Sequence, residues 1–198
     1  MNKVASSCFY HLRRLKHIRR LVRKEVTAQL VLVFIVSRLD YCNALLEGLP
    51  RATMEPLQWV QNAAACLLLN LRLRYHVTPA LKQLHWLPIS SRINFQTLLA
   101  DASHPHRSST TVPDRLVQPV TISCNRHLRS SETADYVKWT TRTKCGERGF
   151  SYCGPAAWNG LLPRLRTITN TNTFKRHFKS CLFIGSFSQI VSAPEKVG

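Results

Sequence analysis

The sequence predicts a mostly α-helical protein with a small α+β part toward its C-terminal end. Three observations carry that prediction. Apolar residues recur every three or four positions through residues 1–100, and aromatic and β-branched residues gather between glycines in 136–153. The three-and-four spacing then returns over 174–182. The implied architecture is a helical bundle, then short strands, then a terminal amphipathic helix.

In "CFYHLRRLKHIRRLVRKE", Cys8, Leu12, Leu15, Ile18 and Val22 fall on one side of a helix, with Arg13, Lys16, Arg20 and Lys24 between them. This predicts an amphipathic helix with a cationic face over 11–24. Thr27 to Leu46 reads as a second helix, apolar almost all round and so central, that Gly48 and Pro50 end. Its run Leu30 to Val36 is far shorter than the roughly 18 apolar residues of a spanning helix, so no membrane insertion is expected.

A third helix, "MEPLQWVQNAAACLLLN", has Thr53 as N-cap, Pro56 in its first turn and a stripe of Leu57, Val60, Ala64, Leu67 and Leu68. Thr78-Pro79 opens a short helix before Pro88, and Ser90 or Ser91 caps another that runs through Leu99. The polar, aperiodic run "DASHPHRSSTTVPDR" is a linker. "YVKWTTRT" and "FSYC" suit short strands, and Thr171 or Thr173 starts the last helix, with Phe174 and Phe178 opposite Lys175, Arg176 and Lys179. The organisation is a helical region 1–100, a polar linker 101–120, a basic α+β region 121–184 and a frayed tail 185–198.

The chain carries 28 Lys and Arg against 10 Asp and Glu, a formal charge of +18. Residues 1–40 hold nine basic and two acidic groups, and 121–182 eleven against three. Such an excess repels itself unless an anion compensates, so RNA or DNA is the first partner to expect. The residues expected to contact its phosphates are Arg13, Arg14, Lys16, Arg19, Arg20, Arg23 and Lys24, together with Arg142, Lys144, Arg148, Lys175, Arg176 and Lys179. Trp59, Trp86 and Trp158 lie in apolar surroundings that suit core packing, which leaves Trp139 as the indole for base stacking.

The motifs of chemistry are missing. Cys124 and His127 have ligand-like spacing, with Cys145 and Cys153 downstream and His104 and His106 in the linker, but no paired CxxC or HxxxH accompanies them. No metal and no cofactor is therefore expected. Neither GxSxG nor a phosphate-cradling glycine loop occurs. Two-metal nucleotidyl transfer needs clustered carboxylates, and no two of the acids are adjacent. Asp40, in "SRLDYCNALLEGLP", reads instead as an anchor paired with Arg38 or another arginine, with Tyr41 and Asn43 as polar fastenings beside it. Seven scattered cysteines and no signal-like N-terminal stretch suggest reduced thiols and an intracellular chain, nuclear or cytoplasmic.

Four strings in order, "SRLDYCNALLEGLP", "PLQWVQNAAACLLLNLRLRYHVTPALKQLHWLPISSRINF", "RTKCGERGFSYCGPAAWNGLLP" and "TFKRHFKSCLF", resemble the region downstream of the reverse-transcriptase domain in LINE-like, non-LTR retrotransposons of the chicken-repeat type. The resemblance spans about residues 8–183. It implies a non-catalytic C-terminal fragment of an RNA-directed DNA polymerase, whose catalytic motif lies upstream and is not carried over to any residue here. It implies also that the first 100 residues are thumb-like or connecting helices, and the alternative to nucleic-acid binding is a structural module that packs on the missing polymerase domain. The chain departs from the family after "RINF", where "QTLLADASHPHRSSTTVPDRL" replaces a further helical stretch. That departure reads as an internal loss of the kind found in a decayed copy.

Overall fold

The structure, a computed structural model, describes residues 2–41, 43–71, 76–102, 135–143, 146–168 and 170–188. Most of the proposed linker and Cys124, His127, Lys144 and Cys145 lie outside them, as does the tail from 189 on. The described chain is mostly helical: α1 (Asn2–Ile18), α2 (Lys24–Val31), a π-helical turn (Leu32–Val36), α3 (Ser37–Asp40), α4 (Arg51–Leu69), α5 (Val77–Gln83), α6 (Ile89–Ala102), α7 (Phe150–Asn159), α8 (Pro163–Arg166) and α9 (Thr171–Ser188). The contacts group the chain into two compact units, one of Met1–Tyr41, Leu49–Arg92 and Leu182–Gly198, the other of Cys42–Gly48 and Ile93–Cys181.

In the first unit α1 packs against α4, and α4 against α5. Cys8, Leu12 and Leu15 are buried as the periodicity requires, but α1 stops at Ile18, and the expected cationic helix over 11–24 is not continuous. Arg19 to Leu21 form a turn, and Arg23, with extended backbone, precedes α2. No glycine or proline stands here; the cause is tertiary, because Arg19 reaches across to α4. Cations three and four apart along 13–20 also repel one another and weaken further helix.

The helical run that starts at Lys24 ends at Asp40, short of the expected Leu46, and it is not central. It buries one row only, Thr27, Val31, Ile35 and Leu39, each four residues from the next. In a regular α-helix such a row drifts round the axis, and the wider π turn returns it to one face. Leu32, Val33 and Phe34 on the remaining surface are exposed. After Tyr41, whose backbone is extended, Asn43–Leu46 form a 3₁₀ turn. Gly48 follows with φ +73, a left-handed conformation in which a side chain would be strained.

Helix α4 keeps its expected stripe, with Leu57, Val60, Ala64, Leu67 and Leu68 buried. It begins at Arg51, two residues before the expected cap Thr53, and Pro50 at the N-cap position makes no side-chain cap. Nor do Ser90 and Ser91 cap α6, since both lie inside it. Gln58 does so from α4: its Oε1 accepts from the Ile89 amide at 2.9 Å, while buried Gln61 donates to the Leu87 carbonyl at 2.8 Å. An amide with no helical partner is thus satisfied from a neighbouring helix. Trp86 packs beside Ala65, Ala80, Leu81 and Phe187. Trp59, expected in the core, is 56% exposed.

The second unit is held by an aromatic row in which Tyr136, Trp158, Phe174, Phe178 and Phe95 follow one another at centroid distances of 5.6 to 5.9 Å. The expected strands are not formed: among the described residues "FSYC" is the first turn of α7, and "YVKWTTRT" is irregular apart from a bridge at Tyr136. The Asn159 side-chain amide pairs with the Tyr136 backbone, its Oδ1 accepting from the Tyr136 amide and its Nδ2 donating to the Tyr136 carbonyl, both at 2.9 Å. α9 starts at Thr171, one of the two expected positions, and has the expected buried face of Phe174 and Phe178, while Asn170 caps it by accepting from the amides of Asn172 and Thr173. Residues 185–188, expected to fray, continue that helix.

Candidate nucleic-acid interface

The basic segment 13–24 folds into an elbow between α1 and α2. Arg13, Lys16, His17 and Arg20 recur at helical spacing and, with Arg19, line a shallow depression of about 500 Å³. Lys16 and His17 occupy the last turn of α1, where the negative end of the helix dipole favours cations. A second depression of about 370 Å³ shares Arg19 and Arg20 and adds Lys24, with Thr27 and the end of α4 as its floor.

Arg19 has a structural task. Its guanidinium donates to the Leu67 carbonyl at 2.9 Å and to Oδ1 of Asn70. Asn70 is left-handed, at φ 57, and the Leu71 amide returns to the Cys66 carbonyl at 3.0 Å, which closes α4 in a Schellman-type cap. Arg19 thus brings positive charge to the negative end of α4 and holds the elbow against it.

Of the expected phosphate contacts, the structure brings Arg13, Lys16, Arg19, Arg20 and Lys24 together around these depressions. Arg14 turns toward Tyr10, donating to its hydroxyl at 2.6 Å with the guanidinium 5.5 Å from the ring centre. Arg23 is exposed at the entry to α2. In the second unit, Lys175, Arg176 and Lys179 form an exposed face of α9, and Arg142 and Arg148 are exposed in the segment before α7. Lys144 lies outside the described residues. Two basic residues absent from the expected set are His17 in the elbow and Lys138, whose Nζ stands 4.7 Å from the Tyr152 ring centre. A basic residue in the last turn of a helix is the sequence signal that marks His17. Trp139 is 45% exposed.

Asp40 is held by Arg92, whose Nε donates to Oδ1 at 2.8 Å while Nη2 meets Oδ2. Arg38, the partner nearest to it in sequence, donates instead to the Ser7 hydroxyl. Tyr41 is 79% exposed and is no fastening, whereas Asn43 is fully buried. Burial pushes the Cys8 thiol above its ordinary range, with Arg38 partly opposing, and burial likewise raises Cys66. Cys153 is also buried, its Sγ 3.8 Å from the Arg148 carbonyl, and Cys181 is free and exposed. Among the described residues no three His, Cys, Asp or Glu side chains gather as metal ligands, and no helix is long and apolar enough to cross a membrane.

Fold and surface together define a mostly helical, strongly basic protein with a cationic surface on each of its two units. No family model, no curated protein and no solved structure matches the chain.

Proposed function

We propose that the chain binds the phosphate backbone of RNA or DNA without catalysing a reaction, as a C-terminal piece of a LINE-like retrotransposon reverse transcriptase acting in the nucleus or cytoplasm. The observation that supports this most directly is the elbow, where Arg13, Lys16 and Arg20, beside His17, line one depression with no carboxylate among its described residues. Such a surface is unfavourable when empty, because the cations repel one another, and an anion relieves it. The exposed Lys175, Arg176 and Lys179 supply a second attachment. Contacts of this kind give affinity with little choice of sequence.

Fluorescence anisotropy of the full chain with a labelled RNA and the matching DNA, titrated across salt concentration, tests the reading. Affinity should fall steeply with salt, and charge-neutral variants at Arg13, Lys16 and Arg20 should each flatten the slope by roughly one, the share of a single neutralised phosphate. A flat response in the unaltered chain would defeat it.

A second reading draws on the exposed Leu32, Val33 and Phe34, at 47%, 62% and 38%. These suit a module that packs on another protein, such as the polymerase domain that the sequence resemblance implies. In that case the purified chain self-associates, and binds RNA no better than it binds heparin.

A further inference from the structure

Between the cations of the elbow stand the apolar side chains Ile18, Leu21 and Val22. Leu21 is 87% exposed, more than any other large hydrophobic residue among those described, and Ile18 beside it is 41% exposed. Arg20 precedes Leu21 directly, Arg23 and Lys24 follow it, and Lys16 and His17 lie one turn back. An isolated exposed leucine needs no explanation. One at the tip of a turn, surrounded by cations, does.

The tip is braced from beneath. The Leu21 amide donates to the Ile18 carbonyl at 2.9 Å, and the Arg19 amide to the Leu15 carbonyl at 2.9 Å. On the far side the Thr27 amide and hydroxyl both donate to the Arg23 carbonyl, at 3.0 and 3.2 Å. Arg19 fixes the base of the elbow to the Leu67 carbonyl at 2.9 Å. Leu21 is therefore presented on a supported turn, and that lowers the ordering cost of inserting it into a partner.

From this geometry we infer that Leu21 is a wedge that enters between neighbouring base pairs of a nucleic-acid duplex while the surrounding cations hold the phosphates on either side. The inference rests on the backbone-binding reading above and adds to it the form of the partner, a duplex that bends. Aliphatic wedges flanked by Arg and Lys unstack a base step and kink the duplex. A single-stranded partner would call for aromatic stacking platforms, and the segment 16–24 contains no Phe, Tyr or Trp. An anionic lipid surface would satisfy the cations equally well, but one leucine is a weak anchor where even a myristoyl chain binds only marginally.

The test uses the full chain with a DNA duplex and an RNA duplex of the same sequence, dye-labelled at both ends, and with vesicles of phosphatidylserine and phosphatidylcholine. The unaltered chain should shorten the end-to-end distance of at least one duplex, and which one responds identifies the nucleic acid. Leu21→Ala should abolish the shortening and weaken duplex binding about ten-fold while leaving the salt slope unchanged, and Leu21→Met should retain both. If Leu21→Ala binds and bends like the unaltered chain, the wedge is overturned and backbone binding stands. If the unaltered chain binds no duplex and no single strand, the underlying reading fails as well. Vesicle binding that depends on Leu21, without duplex bending, assigns the tip to lipid and overturns the inference.

Discussion

Arg92 in the first turn of α6 grips Asp40 in the last turn of the helical run that begins at Lys24, with Nε to Oδ1 at 2.8 Å and a second contact from Nη2 to Oδ2. Each residue is badly placed on its own helix: a carboxylate meets the negative end of one dipole and a guanidinium the positive end of the other. Facing each other, they remove both conflicts.

Breaking that pair should destabilise the protein. The side chains are 19% and 27% exposed, so a fully buried pair overstates the effect, and Asp40→Asn or Arg92→Gln should each cost about 1–2 kcal/mol. In urea denaturation the double variant should be destabilised by less than the sum of the two single effects. Additive effects would mean that the two residues act independently.

Arg19 and Arg20 should separate fold from binding. Arg19→Ala removes the cation from the end of α4 and should cost about 1–2 kcal/mol in thermal unfolding. Arg20→Ala, at an exposed site, should leave the melting temperature within a degree or so and weaken nucleic-acid binding. Equal effects on both properties from the two variants would contradict the structural task given to Arg19.

Thr97 is fully buried in α6, and its hydroxyl has no hydrogen-bond partner among the described residues. Thr97→Val keeps the shape and removes the unsatisfied oxygen, so it should stabilise the protein by about 1 kcal/mol. A decrease in stability in denaturant titration would show that the hydroxyl has a partner in solution.

Glu47 should make stability depend on pH. Burial pushes its carboxyl above the ordinary value of 4.5, and the hydrogen bond from the Gly48 backbone opposes this in part. With the folded value above the unfolded one, the folded state holds the proton more tightly. The resulting stabilisation is present below the unfolded value and is lost as pH rises through the folded value. Glu47→Gln should therefore match the unaltered chain near pH 4 and be more stable near pH 7, as read from urea midpoints at both.

The faces of α4 and α9 are legible in the sequence because each separates apolar from polar residues at helical spacing. Phe174 and Phe178 against Lys175, Arg176 and Lys179 leave one orientation that buries rings and solvates charge. "FSYC" misleads because aromatic residues favour a half-buried surface more than an extended backbone, and a short apolar run fits a buried helix equally well. Around it Cys153, Gly154 and Pro155 are buried in α7, with Trp158 against Phe174. The expected cationic helix fails at Ile18 without any local stop signal: its end depends on Leu67 and Asn70, about 50 residues away.

By itself the sequence determined the helical character, the apolar stripes that become the core, and the excess of positive charge, because periodicity and composition act locally. Only the tertiary structure decided which cations are free and which are bound to the fold. Arg19, Arg92 and Arg166 are engaged at helix ends, Arg166 by donating to the Asn159 and Leu161 carbonyls and pairing with Asp135. Arg13, Lys16 and Arg20 remain exposed. The physical reason is that a guanidinium finds a carbonyl or carboxylate through space, and that partner stands at a sequence distance that no local pattern encodes.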